Sequence, residues 1–217
     1  MTVQQEIISG GRRILSSGLI KGTWGNISIR RGDTLWITPS GVPYDELEEE
    51  SVAAIDMATG GQIAGNLPAS SELLLHLKIY KHFPIINGIV HTHSIYASAF
   101  AALLEEVPCY TEDQAQIIGG DIPVAEYALP GTDELAENAV SALGKGRFAT
   151  LMANHGLVAI GRSLKEALTA ADIAEKSAQL ASIILSLNKN PKPLSHEDIT
   201  LLREKYLGEY SKKIIKE

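Results

Sequence analysis

The sequence predicts a mixed α/β fold, a layered sheet with helices on its faces. Three observations carry this. Short segments that alternate apolar and polar residues, or run apolar throughout, recur along the chain at 26–31, 34–38, 88–93 and 150–153. Between them lie longer stretches at helical spacing, several opened by Ser or Thr. The two kinds are intermixed without strict βαβ alternation, which leaves the strand order open. The length of 217 residues suits one domain over 1–217, with 188–217 as a helical C-terminal tail.

In chain order, Val3 to Ser17 places Ile7, Ile8, Ile14 and Leu15 at roughly helical spacing, although Gly10-Gly11 interrupts it. NISIRR (26–31) and TLWIT (34–38) flank Gly32-Asp33 and read as a β-hairpin. Pro39-Ser40-Gly41 breaks the chain, and Ser51 to Asp56 is a short strand ended by Thr59-Gly60-Gly61. A helix follows, with Ser70 or Ser71 as its cap, Glu72 in its first turn and Pro84 at its end. Gly88 to His93 has the apolar density of a buried strand, and Ser94 to Leu104 is alanine-rich and helical. Ile122 to Ala125 is a brief strand and Thr132 to Leu143 a helix capped by Thr132. Thr150 to Ala153 is a strand leading into Asn154-His155-Gly156. Ser163-x-x-Glu166 is a capping box opening a helix to Leu187, and Ser195 caps a last helix.

Composition narrows the function. Hydrophobic residues make up 45% and charged residues 21%, enough apolar material for a sizeable core. A net charge of -7 argues against general nucleic-acid binding, which needs a basic face. The single cysteine, Cys109, excludes an intrachain disulfide and a cysteine-rich zinc module, and fits a cytoplasmic location. The start, MTVQQEIISGG, lacks the features of a signal peptide, and the most apolar stretch, Gly88 to Leu104, is too short and too polar to span a membrane.

The chemistry concentrates at histidines. His91 and His93 are two apart in a predicted strand, so both imidazoles face one way and can grip a metal from one side. The alternative for this pair is hydrogen bonding to neighbouring main chain. His155 follows a strand and precedes Gly156, where the backbone can come close to another group. With Glu72, three histidines would make a tetrahedral zinc-type set. His76, one helical turn after Glu72, takes a supporting or core role, while His82 and His196 sit at polar positions. Three clusters of small hydroxyl and glycine groups stand apart: Gly22-Thr23-Trp24-Gly25-Asn26, Ser40-Gly41 and Ser70-Ser71. Each alone is a plain turn or cap. Beside a metal they describe a phosphorylated substrate held before a Lewis acid.

Five ordered segments, GTWGNISIR, ITPSGVPYDEL, LPASSELLLH, VHTHS and NHGLVAIG, resemble the class II aldolase family of fuculose phosphate aldolases, ribulose phosphate 4-epimerases and adducin heads, over roughly Gln5 to Leu185. The resemblance implies a three-layer fold, a central and mostly antiparallel sheet between helices, and a homotetramer with active sites between subunits. Carried across residue by residue, it places zinc, or another divalent metal, on His91, His93 and His155, with Glu72 as metal-bound carboxylate and acid/base. It places the phosphate of a sugar phosphate on Asn26, Ser40, Gly41, Ser70 and Ser71, with Thr23 at the edge. The reaction implied is cleavage of a ketose 1-phosphate, fuculose 1-phosphate or a 5-deoxypentulose 1-phosphate, to dihydroxyacetone phosphate and an aldehyde.

One role departs from the family pattern. A tyrosine supplied by the adjacent subunit is expected six residues before a double glycine. Here the double glycine is Gly119-Gly120, the sixth residue before it is Asp113, and Tyr110 lies three further upstream. Either a small shift restores Tyr110 to the role, or Asp113 has it, or the enzyme handles a different aldehyde. Tyr206 and Tyr210, in the tail, match nothing clearly. The same scaffold also carries epimerases, methylthioribulose-1-phosphate dehydratases and oxo-acid phosphate decarboxylases. A non-catalytic adducin-like module is the reading from another class. It has no need to keep the histidines, the acid and the phosphate clusters together.

Overall fold

The computed structural model describes residues 1–217 except 145, 188, 190 and 211–217, and excludes the side chains of 209 and 210. Helix α1 (Val3–Ser16) opens on a capping box, with Thr2 Oγ1 accepting from the Gln5 N–H and Gln5 Oε1 from that of Thr2. Gly10-Gly11 lies inside this helix. A methyl group at Gly11 would sit 2.4 Å from the Tyr44 ring, so close packing explains a pair that helix propensity disfavours.

Strands β1 (Asn26–Arg31) and β2 (Thr34–Ile37) form the expected hairpin, followed by β3 (Ala53–Asp56) and β4 (Gln62–Ala64). Then come α2 (Leu73–His82), β5 (Gly88–Thr92), α3 (Ile95–Leu103), α4 (Glu112–Ile117), β6 (Val124–Ala125) and α5 (Asp133–Leu143). The chain continues through β7 (Ala149–Met152), β8 (Gly156–Gly161), α6 (Leu164–Ser186) and α7 (His196–Lys205), which ends in a wider helical turn at Tyr206–Tyr210.

The eight strands form one sheet in the order β4-β3-β2-β1-β5-β8-β7-β6. Every neighbouring pair is antiparallel except β6 with β7. Successive β1 residues face opposite sides. Ile27 lies against Gly10, which Leu164 and Leu168 also approach, on the face covered by α1 and α6. Asn26 and Ser28 face α2, which packs with α5. The result is three layers, with α3 beside α6 over β7 and β8.

The structure adjusts several expectations. Helix α2 begins at Leu73, with Glu72 rather than a serine at its N-cap and no side-chain cap bond. The serines belong to the turn before it, where the Ser70 N–H donates to Thr38 O and the Ser70 hydroxyl accepts from the Glu72 N–H. The capping box at Ser163 is half made. Ser163 Oγ accepts from the Glu166 N–H at 3.2 Å, but Glu166 turns to the N–H and guanidinium of Arg162. Three elements escape sequence reading. Strand β8 is buried along its whole length, so it shows no alternation. Helix α4, at six residues, is too short for periodicity, and β4 is a short exposed edge strand.

The tail docks on the body. Arg203 donates to the carbonyls of Gln116, Ile117 and Gly146 and stacks 4.0 Å from the Phe148 ring centre. Buried Tyr206 donates to Glu166 Oε1 at 2.8 Å, so its hydroxyl is engaged with α6. The side chain of Tyr210 lies outside the described residues. Burial opposes the Glu166 charge, but hydrogen bonds from Arg162 and Tyr206 hold its carboxyl below the ordinary 4.5. A carboxyl lowered in the folded state stabilises the fold above its ordinary value and loses that contribution as pH falls towards the folded value. Glu166→Gln, which removes the carboxylate that accepts from Arg162 and Tyr206, is expected to cost about 3 kcal/mol near pH 7 in guanidinium unfolding. The deficit should shrink on acidification below about pH 4.

Candidate metal centre

Strand β5 and the β7–β8 turn bring the three histidines together. The Nε2 atoms of His91 and His93 lie 2.9 Å apart, and the ligand atoms of His91, His93 and His155 all lie within 4.8 Å of one another. His93 stands one residue past the end of β5, where Ser94 turns the chain into α3. Glu175 of α6 fixes that turn by accepting from the N–H groups of Tyr96 and Ala97. His155 closes the three-residue loop between β7 and β8, in which Asn154 takes a left-handed φ of 53°. Gly156 is dictated by proximity, since a side chain there would lie 2.4 Å from the Thr92 carbonyl oxygen.

Glu72 completes the cluster. Its Oε2 is 3.1 Å from His91 Nε2, and its Oε1 is 3.2 Å from His155 Nε2. Asn26 Nδ2 donates to the same Oε2 at 2.8 Å. Burial opposes the charge of Glu72, but His91, by charge and by hydrogen bond, then His155 and Asn26, hold its carboxyl well below the usual range. Burial also resists charge on His91, yet Glu72 raises its basicity. Burial, followed by the neighbouring imidazoles, pushes His93 and His155 down to about 4. Both are therefore neutral at neutral pH, and a neutral imidazole carries a nitrogen lone pair that can bind a cation.

The donor set fits a divalent metal. His91 Nδ1 donates to the Leu157 carbonyl at 2.9 Å, which turns Nε2 into the cluster. Glu72 Oε1 is buried without a hydrogen bond despite its closeness to His155. Three imidazoles and a carboxylate converging at these separations suit a cation among them.

The hydroxyl clusters gather on the adjoining edge. Pro39 bridges to Ala69, and the Ser40 N–H donates to the Pro68 carbonyl, so Ser40 and Gly41 lie beside the turn carrying Ser70 and Ser71. Ser40, Gly41, Ser71 and Thr23 are exposed and Ser70 is buried. Asn26 differs from the other groups expected at the phosphate. Its side-chain amide is engaged at both ends, by Glu72 and by His76 Nε2 at 2.5 Å. Trp24, 67% exposed and given no role of its own within the Gly22–Asn26 cluster, has its ring centre 5.7 Å from that of His93.

Neither Tyr110 nor Asp113 has a described contact with the cluster. Asp113, in the first turn of α4, is paired with Lys176 and accepts from the Gln114 N–H. Tyr110 is half-buried against the core. His76 is fully buried, as a supporting role requires, while His82 and His196 lie outside the cluster. Ser28 and Tyr80, which bond to one another and through Ser28 to His76, were missed. Their signal was positional: Ser28 is two along a strand from Asn26, and Tyr80 is eight along a helix from Glu72.

The family model described as Class II Aldolase and Adducin N-terminal domain matches residues 5–182. The L-fuculose phosphate aldolase of Escherichia coli K12 is 38% identical over 202 residues, covering 93% of each chain. The 5-deoxy-D-ribulose 1-phosphate aldolase of Bacillus thuringiensis serovar kurstaki is 38% identical over 94% of this chain and 95% of its own. A solved L-fuculose 1-phosphate aldolase superposes with a TM-score of 0.90 at 35% identity, covering 94% of this chain and 96% of that one. The chain belongs to the class II aldolase and adducin N-terminal domain family, and within it is a metal-dependent class II aldolase.

Proposed function

We propose that the protein is a zinc-dependent aldolase that reversibly cleaves a ketose 1-phosphate to dihydroxyacetone phosphate and an aldehyde. The carrying observation is the convergence of His91, His93, His155 and Glu72 beside the Ser40 and Ser70 turns. His91, His93 and His155 would hold the metal, with the Glu72 carboxylate beside them. A zinc ion held there supplies Lewis acidity to the substrate carbonyl and neighbouring hydroxyl, favouring cleavage of the C3–C4 bond. Glu72 then moves the proton on the dihydroxyacetone phosphate fragment, with Oε1 turning from His155 to do so. Exposed Ser40, Gly41, Ser71 and Thr23, with Ser70, hold the phosphate through hydroxyl and main-chain groups. Any Asn26 contact to phosphate comes from its main chain.

The second acid/base acts from a neighbouring subunit. Asp113 is committed to Lys176, which favours the Tyr110 phenol over it. A homotetramer places Tyr110 beside another subunit's cluster. Exposed Ile95 and Leu103 on α3, with Ile183 and Leu185 on α6, which packs against it, support such an assembly. No helix among the described residues is long and apolar enough to cross a membrane, in keeping with the cytoplasmic setting we propose.

The test is product analysis with zinc-loaded protein on fuculose 1-phosphate, 5-deoxyribulose 1-phosphate, methylthioribulose 1-phosphate and ribulose 5-phosphate. Rapid release of dihydroxyacetone phosphate from one of the 1-phosphates is expected, and it names the aldehyde. Conversion of ribulose 5-phosphate to its 4-epimer without any cleavage would move the chemistry to an epimerase.

A further inference from the structure

One face of β1 meets one face of α2 through a line of polar side chains. Asn26 and Ser28 alternate along the strand, and Glu72, His76 and Tyr80 recur every four residues along the helix and its cap. All five are buried, from 0% exposed at Ser28 and His76 to 6% at Glu72. Tyr80 is 2.9 Å from Ser28 Oγ, which is 2.6 Å from His76 Nδ1. His76 Nε2 is 2.5 Å from Asn26 Oδ1, and Asn26 Nδ2 is 2.8 Å from Glu72 Oε2.

The chemistry of the end group fixes every direction along this chain. An ionised carboxylate only accepts, so Asn26 must present its NH2 group to Glu72 and its carbonyl to His76. His76 must then donate from Nε2. Burial keeps it neutral, with its pKa pushed down to about 3, so Nδ1 accepts from the Ser28 hydroxyl. Ser28 in turn accepts from Tyr80. Five groups are thus polarised one way, towards one oxygen of Glu72, and such bonds reinforce one another in a low-dielectric interior. The other oxygen, Oε1, is buried and accepts no hydrogen bond.

We infer that the Tyr80–Ser28–His76–Asn26 hydrogen-bond chain positions the Glu72 carboxylate, holding Oε2 fixed and leaving Oε1 as the oxygen that carries the proton. His76 is the central positioning residue, acting through Asn26. The inference rests on the reading of Glu72 as the acid/base. Filling the interface is a weaker explanation, because apolar residues of similar volume would pack there without a set of obligatory hydrogen bonds.

The test is a double-mutant cycle on zinc-loaded enzyme, with zinc content and thermal stability measured alongside. His76→Phe is expected to lower kcat about 10- to 100-fold, with KM within about twofold and zinc retained. His76→Gln, which keeps a donor and an acceptor, should recover most of the loss. In a Glu72→Gln background His76→Phe should lower the residual kcat by less than about twofold, because the group it positions is gone. Ser28→Ala breaks the chain one bond further out and should show the same dependence on Glu72, which keeps the comparison available should His76→Phe fail to fold. Equal losses in both backgrounds, or a kcat loss that follows zinc loss or melting, would overturn the inference while the aldolase reading stood. A wild type silent on every sugar phosphate would overturn both.

Discussion

Zinc-loaded Glu72→Gln is expected to turn over its sugar phosphate about a thousandfold more slowly than wild type, with KM changed only a few-fold. Glutamine keeps the shape of the side chain and can still meet Asn26 and the imidazoles. It cannot take up a proton. The carboxylate of Glu72 is held ionised despite being only 6% exposed, because His91, His155 and Asn26 stabilise its charge. That charge is the property the substitution removes. The three histidines remain, so zinc should stay bound, and elemental analysis of the variant checks this. A defect confined to KM would instead make Glu72 a substrate-orienting group.

His93→Ala is expected to remove metal and activity together. His93 is one of three imidazoles, and its Nε2 sits 2.9 Å from that of His91. The two that remain, with Glu72, form a weaker site open to water. Bound zinc after dialysis against a mild chelator should fall below about a tenth of the wild-type amount, and kcat should fall in proportion. The fold should survive, because His93 lies past the end of β5, and α3 keeps its cap from Glu175. Equal zinc content and rate in the variant would show that His93 is not a ligand.

The sequence made the chemistry-bearing residues legible because they are short-range signals. His91-x-His93 declares itself by spacing, and the close approach suspected at Gly156 is the contact with Thr92 O. The resemblance, rather than any spacing, brought Glu72 to the same place. Which side chain on one element meets which on another was not legible. Asn26 read as a phosphate group because it stands in a Gly-Thr-Trp-Gly turn, yet its amide is engaged by Glu72 and His76 across the β1–α2 interface. That pairing depends on the lateral fit of a helix against a sheet, which neither local pattern contains. Strand β8 was lost because burial on both faces erased its alternation, and α4 because six residues are too few to show a period. Neither Tyr110 nor Asp113 has a described contact with the cluster: Tyr110 packs against the core and Asp113 is paired with Lys176.

Hydrogen exchange into dihydroxyacetone phosphate in heavy water tests the central claim most directly, since it needs no knowledge of the aldehyde. Zinc-loaded wild type should exchange one of the two hydroxymethyl hydrogens, while Glu72→Gln and zinc-stripped protein should leave both in place. No exchange by wild type with zinc bound, or undiminished exchange by Glu72→Gln, would contradict the account of Glu72 as the acid/base at this metal centre.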